Sequence, residues 1–342
     1  TLKSEKPVIT KVHPHMPAAN AGLKVSDQIT HINNFTVRDL NLYQLANRLR
    51  GQLHSKVIVR VYRPTEDRHL NAVMKRTYIV PPTVSTEIDN NIGYIKISSF
   101  NQATAASLAE ELRKIRRTSS KPIKGLIIDL RGNPGGLLKQ SVKVANLVLT
   151  NGKIVSTRGR HPDSLRNYKA SGSDLANGWP IVVLVDGKSA SASEIVAAAL
   201  QDQRRAVVVG TSSFGKGTIQ TVIRLPNDGE INLTWSRFIA PSGYALHGLG
   251  VRPAVCTSRL SGSPQQALEQ FITNLSEARA AHTSWRSVSI DRNKARKALR
   301  DTCISEQRKT VLEKEIARIL LTTPGLYSQA IELSDTETKF VN

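Results

Sequence analysis

Two segments of the 342-residue sequence carry side chains suited to chemistry. In the first, Asp186-Gly187-Lys188-Ser189-Ala190-Ser191-Ala192-Ser193-Glu194 stands between the apolar run Ile181 to Val185 and the alanine-rich stretch Ala192 to Leu200. A serine there opens a helix, where backbone N–H groups can stabilise a developing oxyanion. The same spacing, Ser191-x-x-Glu194, is also a capping box, and taken alone it favours capping. In the second segment, Gly210-Thr211-Ser212-Ser213-Phe214-Gly215-Lys216 follows a strand-like run and matches a phosphate-binding loop as far as its lysine. Such a loop needs Ser or Thr directly after the lysine and then a helix. Gly217 follows instead, and the β-branched run Thr218 to Ile223 favours a strand, which argues against nucleotide binding. The eight histidines include no His-x-x-x-His spacing. His247, Trp179, Trp235 and Trp285 read as packing or structural residues.

The elements that must position these segments change character along the chain. Up to about Thr83 the pattern is short strands and turns. Pro7 to Val12 is extended, one helical turn lies near Ala18 to Leu23, Gln28 to Ile32 is a strand, Leu42 to Leu49 has helical spacing and Val57 to Tyr62 alternates. From there, strands at Ile92 to Ile97, Gly125 to Leu130, Ile181 to Val185 and Ala206 to Val209 alternate with helices at Ala103 to Ile115, Val142 to Leu149 and Ala192 to Leu200. This order predicts an α/β domain around a largely buried sheet. Arg158 to Gly178 is polar and aperiodic, as expected of a surface excursion or lid. After Pro253 helical spacing dominates, at Leu268, Phe271, Ile272 and Leu275 and again at Leu312, Ile316, Ile319 and Leu320.

Composition limits the alternatives. Hydrophobic residues at 39% and charged ones at 22% describe a folding, globular chain, and its length calls for two or three domains. No apolar run reaches the roughly 18 residues of a membrane span. The chain opens at Thr1 with no basic-then-apolar leader, so any export signal is expected to have been removed. The net charge of +21 is spread without a long Lys/Arg run, and residues 261–342 are nearly balanced. That distribution argues against nucleic acid and leaves peripheral association with an anionic membrane open. Cys256 and Cys303 are too few for a zinc cluster, and a bridge between them would staple the C-terminal helices to the preceding domain.

The first segment resembles the PDZ family through Pro17-Ala18-Ala19-Asn20-Ala21-Gly22-Leu23, with Ser26-Asp27 where that family usually has Gly-Asp. The loop with which PDZ domains hold a C-terminal carboxylate precedes the Val8 to Val12 strand, so the domain is expected to be partly truncated. Residues 10 to 255 as a whole resemble the C-terminal processing peptidases, or tail-specific proteases. The motifs are Gly93-Tyr94-Ile95-Lys96-Ile97-Ser98-Ser99-Phe100, Asp129-Leu130-Arg131-Gly132-Asn133-Pro134-Gly135-Gly136, the serine segment, Phe214-Gly215-Lys216-Gly217 with Gln220, Pro241-Ser242-Gly243 and Gly248-Leu249-Gly250-Val251-Arg252-Pro253.

This resemblance implies a PDZ-like domain over 1–82, a ClpP/crotonase-like α/β serine protease core over 83–258 and a helical region over 259–342. It implies Ser191 as nucleophile, Lys216 as general base with Gln220 as its partner, and oxyanion donors at Ala192 and at Gly135 or Gly136. Phe214 and Ile219 are expected to bury the lysine, lowering its pKa as the chemistry requires. Asp129 and Arg131 are expected to brace the glycine turn and Glu194 to cap its helix. The implied enzyme is a serine endopeptidase using neither metal nor organic cofactor, exported to the periplasm or an equivalent lumen, and acting on polypeptides with apolar C-termini. Assembly with itself or with an adaptor is assigned to the helical region. The rival reading is a catalytically impaired scaffold on the same fold.

Overall fold

The computed structural model describes residues 2–3, 6–13, 16–119, 121–227, 229–260, 262–307 and 311–333. The chain forms two compact units, Thr1–Pro81 and Pro82–Asn342. The first contains a four-stranded antiparallel sheet in the order Phe35–Thr36, Gln28–Ile32, Lys56–Arg63, Arg68–Lys75. Val57, Val59 and Val61 alternate inward and pack with Ile32, Leu23 and Leu45, the last on the helix Leu42–Leu49. Asn41 and Gln44 close a capping box at that helix's start. Arg63 grips the buried Asp27 by two bonds, Nε to Oδ1 at 2.8 Å and Nη2 to Oδ2 at 2.9 Å, and donates to the Gly22 carbonyl at 2.7 Å. Ser26, beside it, has φ 75°, the left-handed conformation that explains why glycine is usual at this position in the PDZ family.

The second unit is built on a six-stranded sheet ordered Val255–Cys256, Ala206–Gly210, Ile181–Val185, Gly125–Asp129, Ile92–Ile97, Val84–Asp89. Every neighbouring pair is parallel except the last. Helices cover both faces, which is why Ile181 to Val185 is apolar at every position instead of alternating. Ile128, Val183 and Val208 point towards the layer of Leu108, Val144 and Val196, on the helices Thr104–Thr118, Leu138–Asn146 and Ala192–Asp202. Ile127, Val182 and Val207 point the other way, against Leu268, Phe271, Ile316 and Leu320. The helices Pro264–Thr273 and Leu312–Thr322 are therefore the second covering layer of the sheet, with their apolar stripes spent on it. Cys256, on the edge strand, is disulfide-bonded to the buried Cys303, with Cα atoms 6.0 Å apart.

A separate four-stranded antiparallel sheet runs Arg166–Lys169, Lys153–Arg158, Glu230–Ile239, Thr218–Arg224. The expected excursion after Arg158 is thus partly regular. The chain turns through Pro162–Ser164 and returns as a strand, because Thr157 Oγ1 donates to the Ser164 carbonyl at 2.6 Å and accepts from the Arg166 N–H. Among the described residues no helix is long and apolar enough to cross a membrane.

Candidate active site

Ser191 is reached from the buried strand Ile181–Val185 through a turn that Asp186 ties down. Its Oδ1 accepts from the N–H groups of Gly132 (2.8 Å), Lys188 (3.0 Å) and Ser189 (3.1 Å). Ser189 Oγ donates onward to the Leu130 carbonyl at 2.9 Å. The turn delivers Ser191 half-buried at the head of the helix Ala192–Asp202, with φ 55° and ψ −111°. A side chain held at such backbone angles is strained, and strain of this kind persists only where the surroundings over-determine it.

Glu194 supplies much of that determination. It does reach back to its own helix start, accepting the Ser191 N–H on Oε2 at 2.7 Å, as a capping box requires. The same oxygen also accepts the Lys216 N–H at 2.9 Å, while Oε1 accepts the Gly215 N–H at 2.6 Å and the Ser213 hydroxyl at 2.5 Å. Ser213 Oγ receives the Val251 N–H at 2.7 Å, so its own proton is free to point at the carboxylate. Burial pushes the Glu194 pKa above the ordinary carboxylate value, and these four hydrogen bonds pull against it. All four partners are donors, which the ionised carboxylate alone can satisfy together. One fully buried side chain therefore holds the backbones of Ser191 and Lys216 in a single frame.

The glycine turn comes up against the serine from the neighbouring strand. Asn133, fully buried, donates Nδ2–H to the Ile97 carbonyl (2.8 Å) and accepts the Gly135 N–H on Oδ1 (2.9 Å). Its own carbonyl accepts from Ser193 Oγ (2.9 Å) and from the Ala190 N–H (3.0 Å). Gly135 has φ 103°, and a β-carbon built on it would stand 2.9 Å from Ser191 Cβ and 3.0 Å from the Ala192 nitrogen. Gly136, with φ 144°, presses on Phe100, whose carbonyl would lie 2.2 Å from any β-carbon there. Since the Gly135 N–H is taken by Asn133, its Cα rather than its N–H faces the serine. Asp129 and Arg131 do brace this turn. Arg131 bonds Asp129 Oδ1 through its N–H (2.8 Å) and Oδ2 through Nη2 (2.8 Å), and pairs with the buried Glu313 at 3.1 Å. Burial raises the Asp129 pKa, but the Arg131 and Tyr94 hydrogen bonds and the Lys96 charge more than offset it, and the net shift is downward.

The lysine departs from expectation. Lys216 and Phe214 are both exposed, the latter at 59%, so Phe214 does not bury the amine. Gln220 is exposed too, and its amide nitrogen donates to Thr234 Oγ1 at 3.1 Å. The strand that carries Thr218 and Gln220 begins only at Thr218, so Lys216 stands ahead of it and not on its face. Ile219 pairs with Ser236 but Gln220 with Thr234, a bulge that leaves Trp235 without an opposite number. The structure thus joins the Ser191 and Lys216 backbones, sets Gly135 against Ser191, and leaves the Lys216 and Gln220 side chains at the surface. Sequence reasoning gave Glu194 only its capping role and gave Asn133 none. The available signal was Glu194 itself, the one acid among the apolar residues Ala192 to Leu200.

Residues 91–256 match peptidase family S41, and residues 8–63 match the PDZ domain. The carboxy-terminal-processing protease of Bartonella bacilliformis is 38% identical over 240 residues, 70% of this chain and 55% of the relative. The carboxy-terminal processing proteases CtpA and CtpB of Bacillus subtilis are 35% and 31% identical, covering 70% and 82% of this chain and 50% and 59% of their own lengths. The solved photosystem II D1 C-terminal processing protease is 28% identical over 73% of this chain and 67% of that one, with a TM-score of 0.45. The chain spans little more than half the length of the curated relatives it matches. The peptidase match lies across the serine, glycine and lysine segments with the PDZ match ahead of it, so the core of this chain is similar to peptidase family S41.

Proposed function

We propose that this protein is a serine endopeptidase that cleaves polypeptides at or near their C-termini through an acyl-enzyme on Ser191, with Lys216 as general base. The observation that carries the reading is the Glu194 carboxylate, which accepts the Ser191 and Lys216 N–H groups at 2.7 and 2.9 Å and so couples a strained serine to a lysine. In the reaction Lys216 Nζ takes the Ser191 hydroxyl proton as Oγ attacks the scissile carbonyl carbon. The oxyanion that forms is met by the Ala192 N–H, the first of its helix, and by the Gly136 N–H in preference to that of Gly135. Lysine then hands its proton to the leaving amine, and a water molecule activated by the same amine frees the new C-terminus. A base of this kind must be neutral, and a polypeptide laid over the exposed Lys216 supplies the desolvation that the protein leaves undone. Gln220 becomes its partner on release from Thr234. The C-terminal specificity rests on the relatives named for that activity. An oxidising, exported location fits the Cys256–Cys303 bridge.

The exposed lysine also favours a second reading, a protease fold serving as a scaffold. Hydrolysis of casein separates the two. Ser191→Ala and Lys216→Ala are each expected to abolish cleavage, a fall of about 10⁴-fold or more, with unchanged circular dichroism. Cleavage that persists in both variants would overturn the dyad, and none in the wild type would favour the scaffold.

A further inference from the structure

Behind the lysine segment lies a cavity of about 580 Å³ whose lining includes Arg237, His247, Asp291, Arg296, Lys297 and Arg300. Arg237 stands opposite Thr218 in the strand pairing, two residues beyond Lys216. Arg300 Nη1 donates to the Ser213 carbonyl at 3.1 Å. Gly248, also in the lining, donates its N–H to the Gly215 carbonyl at 2.9 Å. Four cations therefore crowd one hollow, and among the described residues none of the four forms an ion pair. The single lining acid, Asp291, already accepts a hydrogen bond from Ser289 Oγ. Burial and then the Arg237 and Arg296 charges hold the His247 pKa below its ordinary value, so the imidazole adds a neutral hydrogen-bonding group and no further charge.

Arg296 is the telling member. It is only 4% exposed, and its Nη2 is fixed by the carbonyls of Ala245 (2.9 Å) and His247 (2.6 Å). Its Nη1 is buried with no hydrogen-bond partner. Native structures seldom leave a buried charged donor unmet, because its desolvation is then uncompensated. Here the guanidinium is oriented by two backbone carbonyls, its second nitrogen is unsatisfied, and the residue lines a hollow shared with three more cations. Guanidinium forks match planar and tetrahedral oxyanions, and an excess of three positive charges favours a ligand carrying more than one negative charge.

We propose that this cavity binds a phosphate-class oxyanion, seated on Arg296 and enclosed by Arg237, Lys297 and Arg300. The anion is either free inorganic phosphate or the phosphodiester of a lipid headgroup. The site stands apart from the peptidase reading and is expected to survive Ser191→Ala unchanged.

Calorimetric titration of the full chain with sodium phosphate, against sodium chloride at equal ionic strength, reads the first source. Flotation with phosphatidylglycerol vesicles, against phosphatidylcholine, reads the second. Saturable binding in either arm is expected, weakened about tenfold or more in the double variant Arg237→Gln/Lys297→Gln, whose side chains are exposed and whose folding is not at stake. Arg296→Lys keeps a charge yet loses the fork, and should weaken the same arm by a similar factor. Phosphate behaving like chloride with no selective flotation, or binding that both variants leave intact, overturns the proposal.

Discussion

Gly135 and Gly132 lie three residues apart in one turn, and both take positive φ, yet the surroundings separate their roles. A β-carbon at Gly135 would collide with Ala190 O, Ser191 Cβ and the Ala192 nitrogen, while at Gly132 nothing lies within 4 Å. Gly132→Ala is accordingly expected to cost about 1 kcal/mol of stability from its backbone angle alone and to keep full activity. Gly135→Ala pushes directly on Ser191 and on the Ala192 nitrogen, the proposed nucleophile and oxyanion donor, and should lower kcat by about 10²-fold or more. Thermal unfolding alongside peptidase assays checks both, and equal activity losses in the two variants would contradict the assignment. At this scale the serine was legible from its place between an all-apolar strand and an alanine-rich helix. The posture of the lysine was not, since Lys216 stands exposed ahead of the strand Thr218–Arg224, where alternation has no hold on its side chain.

Among the elements, the strands buried on both faces were the readable ones. Ile181–Val185 and Ala206–Gly210 are apolar throughout because helices cover both sides. The strands Arg68–Lys75 and Glu230–Ile239 escaped notice because most of their side chains face solvent, so pairing rather than burial defines them. The helices after Pro253 were legible as helices, but their packing partner was not. Helical spacing reveals an apolar stripe without saying what covers it, and here the cover is the sheet's second face. The Cys256–Cys303 bond closes a segment with a sequence separation of 47 around three of those helices. On the chain-entropy view that closure stabilises the unit by about 4 kcal/mol. Cys303→Ser should therefore lower the melting temperature of the second unit markedly, and a reductant should lower the wild type to the same value while leaving the variant unaffected.

For the molecule as a whole, acid should act through particular carboxylates rather than through net charge. Burial works to raise the Asp27 pKa, but the Arg63 hydrogen bonds, the Lys24 N–H and both cationic charges outweigh it, and the folded value lies below the reference 3.8. Asp129 is shifted the same way. A depressed carboxylate adds stability that is fully present above the unfolded pKa and is lost as pH falls through the folded one. Both units are thus expected to hold their stability down to about pH 4 and to lose it below. Denaturant titrations from pH 7 to pH 3 test this, and Arg63→Met should flatten the acid limb of the first unit alone. Strand length and periodicity change near residue 83 in the sequence, close to where the chain divides into its two compact units.

The carboxylate at the head of the serine helix has a bearing on how such a catalyst is silenced. Its lone pairs are already committed to four donors, two of them on the residues proposed as nucleophile and base. A proton arriving there, or a tug on the loop from 213 to 217, must strand at least one of those donors. Disturbance at either partner is then felt by the other, and idleness needs no blocking of the cleft.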